Sequence, residues 1–162
     1  MEKNQIVIRP ATTDDAPAIA EVRGDAIRNV KHDSYDQSVL DEWAGPVEDR
    51  IQKLLSNSAD VRIVAEREDR IIGYGELIIA DNLLGACYVS SSAGGKGVGK
   101  ALVTELERIA REKGLDHLHM ESSANAEKFY VHCGYQVVGR GKHTMHSGAV
   151  MDCVMMRKDL SE

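Results

Sequence analysis

The sequence predicts a single mixed α/β domain that spans residues 1–162. Short alternating or β-branched runs, typical of strands, recur between segments with the apolar spacing of amphipathic helices. In the middle of the chain, a strand pattern is followed by a glycine-rich loop, the clearest helix and a second strand pattern. A strand–helix–strand unit crosses over in the right-handed sense, so we expect strands 83–89 and 115–121 to lie parallel in one sheet.

The N-terminal half alternates between the two patterns. We predict a first strand at 5–9, and Thr12 with Asp15 has the spacing of a capping box at the start of a helix. Helical spacing continues through Ile19, Val22, Ala26 and Val30. The remaining predicted elements of this half are helices 39–43 and 47–55, separated by Gly45-Pro46, and strands 61–66, 71–79 and 83–89.

The C-terminal half contains the longest predicted helix, 98–113. Its apolar stripe consists of Val98, Leu102, Leu106 and Ile109. Gly114 is well placed to end this helix, and Gly134 to end a shorter one at 125–132. The other predicted elements are strands 115–121, 135–138 and 150–157, with a loop rich in glycine and histidine between the last two.

A glycine-rich stretch leads into the longest helix. Residues 89–99 read Val-Ser-Ser-Ser-Ala-Gly-Gly-Lys-Gly-Val-Gly. Glycine lets the main chain come close to a ligand, and the N–H groups at a helix N-terminus attract anions. Lys96 and Lys100 add positive charge. The stretch therefore predicts a phosphate site, most simply one for a diphosphate.

Composition excludes several other classes of ligand. The net charge of −6 disfavours broad binding to nucleic acid or to an anionic membrane. The most apolar region, 71–89, is interrupted by Glu76 and Asp81, so we expect no membrane span. Three widely spaced cysteines without a CxxC pattern, and no signal-peptide pattern, predict reduced thiols in a cytoplasmic protein. No spacing of histidines requires a metal ion.

Two kinds of phosphate-binding loop compete for this stretch. Residues 94–100 match the GxxxxGK of a nucleotide-binding P-loop, and a nucleotide switch is one hypothesis. However, Ala101 follows where a P-loop needs serine or threonine to hold magnesium. A dinucleotide fold requires GxGxxG, but the glycines at 95, 97 and 99 alternate.

A third interpretation comes from a family resemblance. Residues 95–102, Gly-Lys-Gly-Val-Gly-Lys-Ala-Leu, resemble the acetyl-CoA loop of the GNAT superfamily of N-acetyltransferases. Residues 123–130, Ser-Ala-Asn-Ala-Glu-Lys-Phe-Tyr, followed by Gly134-Tyr135, resemble its second signature. One position departs from the pattern. The loop usually begins with arginine or glutamine and here begins with Gly94, so we expect weaker binding of CoA than arginine would give.

The resemblance implies a mixed, mostly antiparallel sheet of six to seven strands, flanked by helices. It implies acetyl-CoA as cosubstrate, without a metal ion, in a cleft where the parallel strand pair splays apart. The residues assigned to acetyl-CoA are Tyr88, Val89, Gly94, Gly95, Lys96, Gly97, Val98, Gly99, Lys100 and Asn125. The implied reaction moves an acetyl group to a primary amine of a small molecule or peptide, by direct attack in a ternary complex.

Such a reaction needs a base for the amine and an acid for the departing thiolate. Tyr130 is the expected acid, because a phenol with a reference pKa of about 10 is protonated at neutral pH. Glu76 and Glu121, on predicted strands, are the two candidates for the base. Asn125 is expected to cap its helix, to contact the cofactor, or to do both.

Several roles stay open at this point. Cys87 and Cys133 could in principle carry an acyl group, although buried structural thiols are the commoner case. The lone tryptophan, Trp43, is interpreted as a core anchor, although the resemblance places one wall of the acceptor pocket in segment 31–57. A non-catalytic acyl-CoA sensor or scaffold is the alternative function. Homodimers are common in the superfamily, but no residue of the sequence indicates one.

Overall fold

The computed structural model describes residues 5–56, 61–93 and 97–160. Within these residues one sheet contains β1 (Val7–Pro10), β2 (Val61–Arg67), β3 (Arg70–Ile78), β4 (Leu83–Val89), β5 (His117–Ser123), β6 (Gln136–Thr144) and β7 (Val150–Asp159). The α-helices are α1 (Ala16–Arg28), α2 (Gln37–Ala44), α3 (Val47–Ser56), α4 (Val98–Glu112) and α5 (Glu127–His132).

The sheet has seven strands in the order β1-β2-β3-β4-β5-β7-β6. Neighbouring strands are antiparallel except for β4 and β5, which lie parallel and meet at Leu83 and His119. This confirms the mixed, mostly antiparallel sheet and its single parallel pair. The first residue of β4 is the one in register with β5, so the rest of β4 diverges from its neighbour and leaves a gap in the middle of the sheet.

The helices cover both faces of the sheet because side chains on β3 alternate between two cores. Tyr74 packs with Ile19 of α1 on one face. A Cβ at Gly73 would lie 2.9 Å from Leu102 Cδ1, and one at Gly75 would lie 3.0 Å from Leu106 Cδ1 on the other face. The two glycines therefore allow α4 to pack closely on the sheet, which fixes the position of its N-terminus beside the gap.

Local sequence signals account for most of the element boundaries. Thr12 and Asp15 form the predicted capping box. The hairpin turn between β2 and β3 places Glu68 and Asp69 at positive φ. Gly114 ends α4 with φ +84°. The part of the chain that the structure describes has no helix long and apolar enough to cross a membrane.

The predicted elements differ from the observed ones near the C-terminus. Strand β6 extends to Thr144, so the segment expected to be a loop rich in glycine and histidine is largely strand. Met155 of β7 packs against this strand, and its Cε lies 3.4 Å from the Cβ positions of both Gly139 and Gly141. Pairing with β7 thus overrides the low strand propensity of these glycines.

Candidate functional site

A cavity of about 760 Å³ runs through the gap between β4 and β5. It reaches α1 and α2 on one face of the sheet and the N-terminus of α4 with α5 on the other. This volume lies in the range of pockets that hold a small organic ligand. Because it connects both faces, the cavity can receive one ligand from each side and bring the two together within the sheet.

The N-terminus of α4 forms one end of the cavity. Gly97, Val98, Gly99 and Lys100 all line it. Among the described residues, the first hydrogen bond entering the helix runs from Ala101 N to Gly97 O at 3.0 Å. The amides before Ala101 therefore belong to the first turn, whose N–H groups have no partner within the helix. Gly97 has φ +80°, a conformation that favours glycine. The first turn holds the cation Lys100 and no carboxylate, which suits an anion.

The main chain of β4 offers further hydrogen-bonding groups to the gap. Ser90 N donates to Ile72 O at 2.8 Å, which fixes the alternation of the ladder between β3 and β4. By that alternation the main-chain groups of Tyr88 point to β3, whereas those of Cys87 and Val89 point to the diverged β5. Val89 can therefore bind an extended polar ligand through its main chain. Tyr88 contributes its side chain to the cavity instead.

Tyr130 of α5 lies where the gap opens towards α4. Its side chain is 7% exposed and lines the cavity. Burial raises the pKa of the phenol well above its ordinary value, so the hydroxyl keeps its proton. The ring makes edge contacts with Phe129 at 5.0 Å and with Tyr135 at 5.9 Å between centroids. This arrangement holds a protonated phenol in the lining of the cavity.

A polar cluster anchors α5 and with it the Tyr130 ring. Lys158 of β7 donates to the Cys133 carbonyl at the end of α5, at 2.8 Å. The same ammonium donates to Glu107 Oε1 of α4 at 2.9 Å. The ammonium also lies 5.7 Å from the centroid of the Tyr135 ring. Lys158 thus ties α4, α5 and the sheet together behind the cavity.

Two thiols line the same cavity. Cys87 of β4 lies beside Tyr130, and burial raises the pKa of its thiol to about 12. Burial also raises the pKa of Cys133, which follows α5. A thiol attacks carbonyl groups as its thiolate, so both side chains are poor nucleophiles at neutral pH. Together with Cys153 they are free cysteines.

The two carboxylates expected as bases occupy different places. Glu121 of β5 lines the cavity, and the Cys153 thiol lies against it. Glu76 of β3 lies one strand away from the gap, where it accepts hydrogen bonds from Tyr74 Oη at 2.6 Å and Arg62 Nε at 3.2 Å. The structure therefore brings Glu121 together with Tyr130 but leaves Glu76 in an ion pair outside the cavity lining.

Asn125 also lines the cavity, although it does not cap its helix. It lies within a 3-10 turn, and α5 begins two residues later with Ala126 as its N-cap. The expectation of an N-cap was wrong, because the turn shifts the helix start past the asparagine. The other residues expected to hold the cofactor, Gly94, Gly95 and Lys96, lie outside the described residues.

An apolar wall forms the end of the cavity opposite α4. We call it the α1–α2 wall, and its members are Ala26, Ile27, Val30 and Trp43. The helical spacing of Ala26 and Val30 indicated only a core-facing stripe, since periodicity does not distinguish a packed core from a cavity lining. Trp43, expected as a core anchor, packs against a core cluster with one part of its side chain and lines the cavity with another.

Metal ligands do not converge at this site. The described residues contain no group of three or more His, Cys, Asp or Glu side chains arranged to hold a metal ion.

Comparison with known protein families gives a clear match. The profile of the Acetyltransferase (GNAT) family matches residues 24–135, a range that includes the gap, α4 and α5. A curated relative, the citrate (pro-3S)-lyase ligase of Escherichia coli (strain K12), is 27% identical over 84 residues. This match covers 52% of the chain, and the chain spans about a quarter (23%) of the relative's length.

Solved structures agree with this match. A GCN5-related N-acetyltransferase from Rhodopseudomonas palustris has a TM-score of 0.86 at 24% identity, with 98% of each chain covered. The PaiA N-acetyltransferase from Thermoplasma acidophilum, solved in complex with coenzyme A, has a TM-score of 0.68 at 22% identity. That alignment covers 96% of this chain and 99% of the other. At these identities the likeness shows a common fold.

Proposed function

The chain belongs to the GNAT family of acetyltransferases and is an acyltransferase, and we propose that it transfers the acetyl group of acetyl-CoA to a primary amine within a ternary complex. Residues 1–162 act as one domain in this proposal. The observation that carries it is the continuous cavity, which joins an anion-binding helix N-terminus to an apolar wall through a gap in the sheet. A protein of the same fold, the PaiA N-acetyltransferase from Thermoplasma acidophilum, was solved in complex with coenzyme A, which supports the choice of cofactor.

Acetyl-CoA lies along the part of the cavity that α4, β4 and α5 form. Its diphosphate accepts hydrogen bonds from the amides of Val98, Gly99 and Lys100 at the N-terminus of α4. Its pantetheine arm passes through the gap, where the main chain of Val89 can pair with it as a missing strand would. Asn125 lies on the opposite side of the gap and offers an amide side chain to the same arm.

The amine enters from the α1–α2 wall and attacks the thioester carbonyl carbon. The carbon–sulfur bond breaks, and the sulfur leaves with the electron pair. Tyr130 Oη then donates its proton to this sulfur, and Glu121 accepts a proton from the amine nitrogen. The proton on Glu121 returns to Tyr130 through water, which restores both groups for the next turnover.

Direct attack agrees with the state of the cavity thiols. A route through an acyl-cysteine would need a thiolate at Cys87 or Cys133. The raised pKa of each thiol makes that species scarce at neutral pH. The cavity also lets the amine approach without such a relay, because it is open to both faces of the sheet.

Initial-rate kinetics test the proposed function. The full chain is incubated with acetyl-CoA and a panel of primary amines, and the release of CoA thiol is followed. We expect amine-dependent release, with reciprocal plots that intersect as a ternary complex requires. Binding of acetyl-CoA without release on any amine would favour a sensor, and parallel reciprocal plots would place an acyl group on a cysteine.

A matched pair of variants distinguishes the two carboxylates. We expect Glu121→Gln to lower kcat/KM about tenfold. This loss is smaller than the usual contribution of a general base, because water can reach the exposed position and accept the proton in place of the carboxylate. The loss should be greatest at pH values where the amine is mostly protonated. Glu76→Gln, which removes charge from an ion pair away from the cavity, should leave kcat/KM nearly unchanged. The reverse result would assign the base to Glu76.

A further inference from the structure

The α1–α2 wall carries information about the acceptor. All four of its side chains, Ala26, Ile27, Val30 and Trp43, are apolar. A surface of this kind binds hydrocarbon groups by removing them from water and presents no charged side chain to a substituent.

Charged side chains are few on the cavity surface. In the described part of the chain, the acidic and basic residues that line it are Lys100 and Glu121, with His132 as a titratable neighbour. Lys100 belongs to α4, on the cofactor side. Leu118 and Met120 pack in the core under α4. Because successive side chains of a strand point to opposite faces of the sheet, Glu121 points to the face that carries α1 and α2. The acceptor side thus presents one carboxylate.

The apolar wall is fixed in place before any ligand binds. The buried Arg23 of α1 donates to the carbonyls of Ala44, at 2.8 Å, and Trp43, at 3.2 Å, at the end of α2. Arg28 donates to the next carbonyl, that of Gly45, at 2.8 Å. These carbonyls have no partner within the helix, and cations are favoured at a helix C-terminus. The two arginines therefore hold the Trp43 backbone against α1.

A third tether acts from the far side of the gap. The Tyr35 hydroxyl donates to Asp152 O at 2.8 Å and accepts from Ala124 N at 2.7 Å. Its ring centroid lies 6.3 Å from that of Trp43. This tyrosine connects the segment between α1 and α2 to β7 and to the turn before α5. The wall is consequently preorganised, which reduces the entropy cost of binding an apolar group.

From the apolar α1–α2 wall and the carboxylate of Glu121 on the same face of the sheet, we infer that the acceptor is a monoamine with an aliphatic or aromatic substituent. The inference rests on the proposed function and names the substrate class of the same site. The hydrocarbon part packs on the α1–α2 wall, and the amino group lies between Glu121 and the gap. A polyamine or an aminoglycoside, with several cationic groups, would need more carboxylates than the cavity surface supplies.

The experiment uses Trp43 as a reporter, because it is the only tryptophan of the chain. A series of linear alkylamines of increasing length is titrated into the full chain in the presence of CoA, and tryptophan fluorescence is followed. Burial of one methylene group corresponds to about a fourfold gain in affinity, so we expect the dissociation constant to fall about two- to fourfold per carbon until the wall is covered. Spermidine should bind more weakly than hexylamine.

Two variants at one half-buried position isolate the effect of charge. Val30→Asn and Val30→Asp have nearly the same shape, and both remove apolar surface from the wall. We expect both to weaken hexylamine binding. Only Val30→Asp should gain affinity for spermidine, about fivefold over Val30→Asn, as a new carboxylate near a solvated cation would give.

The outcomes separate this inference from the proposed function. Affinity that rises with chain length supports it. A flat series, or tighter binding of spermidine than of hexylamine, overturns it, and CoA release measured with the same amines then shows whether acetyl transfer itself stands. Chain-length-dependent binding without any CoA release would instead contradict the proposed function, and with it the description of the bound amine as a substrate.

Discussion

Replacing Tyr130 with phenylalanine is expected to lower kcat by about 10²–10⁴-fold, the usual contribution of a positioned acid. In the proposed reaction the hydroxyl gives the proton, whereas the ring packs against Phe129 and Tyr135. Tyr130→Phe keeps the ring and removes the proton donor. The KM for acetyl-CoA and the unfolding temperature should therefore remain close to those of the original chain.

The pH dependence gives a second readout of the same residue. Burial raises the Tyr130 pKa, so the phenol stays protonated above the pH at which an exposed tyrosine ionises. As an acid it is active only when protonated, so Tyr130 should cause no fall in kcat as the pH rises towards 10. A variant with unchanged kcat, or one that loses only acetyl-CoA affinity, would show that Tyr130 packs in the cavity without donating a proton.

Replacing Gly97 with valine is expected to weaken acetyl-CoA binding about 10–100-fold. Gly97 precedes α4 with φ +80°, which a β-branched residue adopts only with strain. Relief of that strain rotates the peptide groups at the helix start and moves the amides away from the diphosphate. Loss of one hydrogen bond to a charged group, at about 1.5–3 kcal/mol, accounts for the expected change.

Gly114→Val is the matched control for this variant. Gly114 lies at the other end of α4 with φ +84°, and at either glycine a Cβ would meet no atom of the described residues within 4 Å. Both variants should lose at least about 1 kcal/mol of folding stability from the left-handed conformation. Only Gly97→Val should lose affinity for acetyl-CoA, measured by calorimetry. Equal losses of affinity would mean that α4 as a whole, and not its N-terminus, controls binding.

Local signals were sufficient to predict most of the fold. The capping box at Thr12 and the end of α4 at Gly114 depend on neighbouring residues, and the structure confirms both. Long-range pairing explains what the sequence pattern missed. The glycines of β6 are poor strand formers in isolation, yet pairing with β7 extends the strand to Thr144. Short-range patterns carry no information about such a partner.

Some residues of the candidate site could likewise be found from local motifs, whereas others depend on the tertiary structure. Contiguous motifs pointed to four residues that line the cavity, namely Tyr88, Val89, Asn125 and Tyr130. Of the α1–α2 wall, only Trp43 lies within segment 31–57, which the resemblance assigned to the acceptor pocket. Ala26 and Val30 have the same periodicity as the buried Ile19, so the sequence could not distinguish residues that line a cavity from those that fill the core. That distinction depends on where β4 and β5 separate.

The placement of Glu76 shows another limit of sequence reasoning. Glu76 lies on a predicted strand, as Glu121 does, and the sequence indicated both carboxylates as candidates for the base. Tyr74, a partner of Glu76, lies two residues away on the same strand, but Arg62 comes opposite Glu76 only through the register between β2 and β3. Ion pairing across a sheet is a tertiary property, so it could not be inferred from the spacing of carboxylates.

The proposed acetyl transfer depends most directly on the diphosphate of CoA binding at the N-terminus of α4. Titration of isotope-labelled protein with CoA, followed through the backbone amide resonances, tests this claim residue by residue. We predict saturable shifts that are largest at Gly97, Val98, Gly99 and Lys100 and that disappear when pantetheine, which lacks the diphosphate, replaces CoA. If CoA saturates the protein and these four resonances do not move, the proposed binding of the diphosphate at the N-terminus of α4 is contradicted.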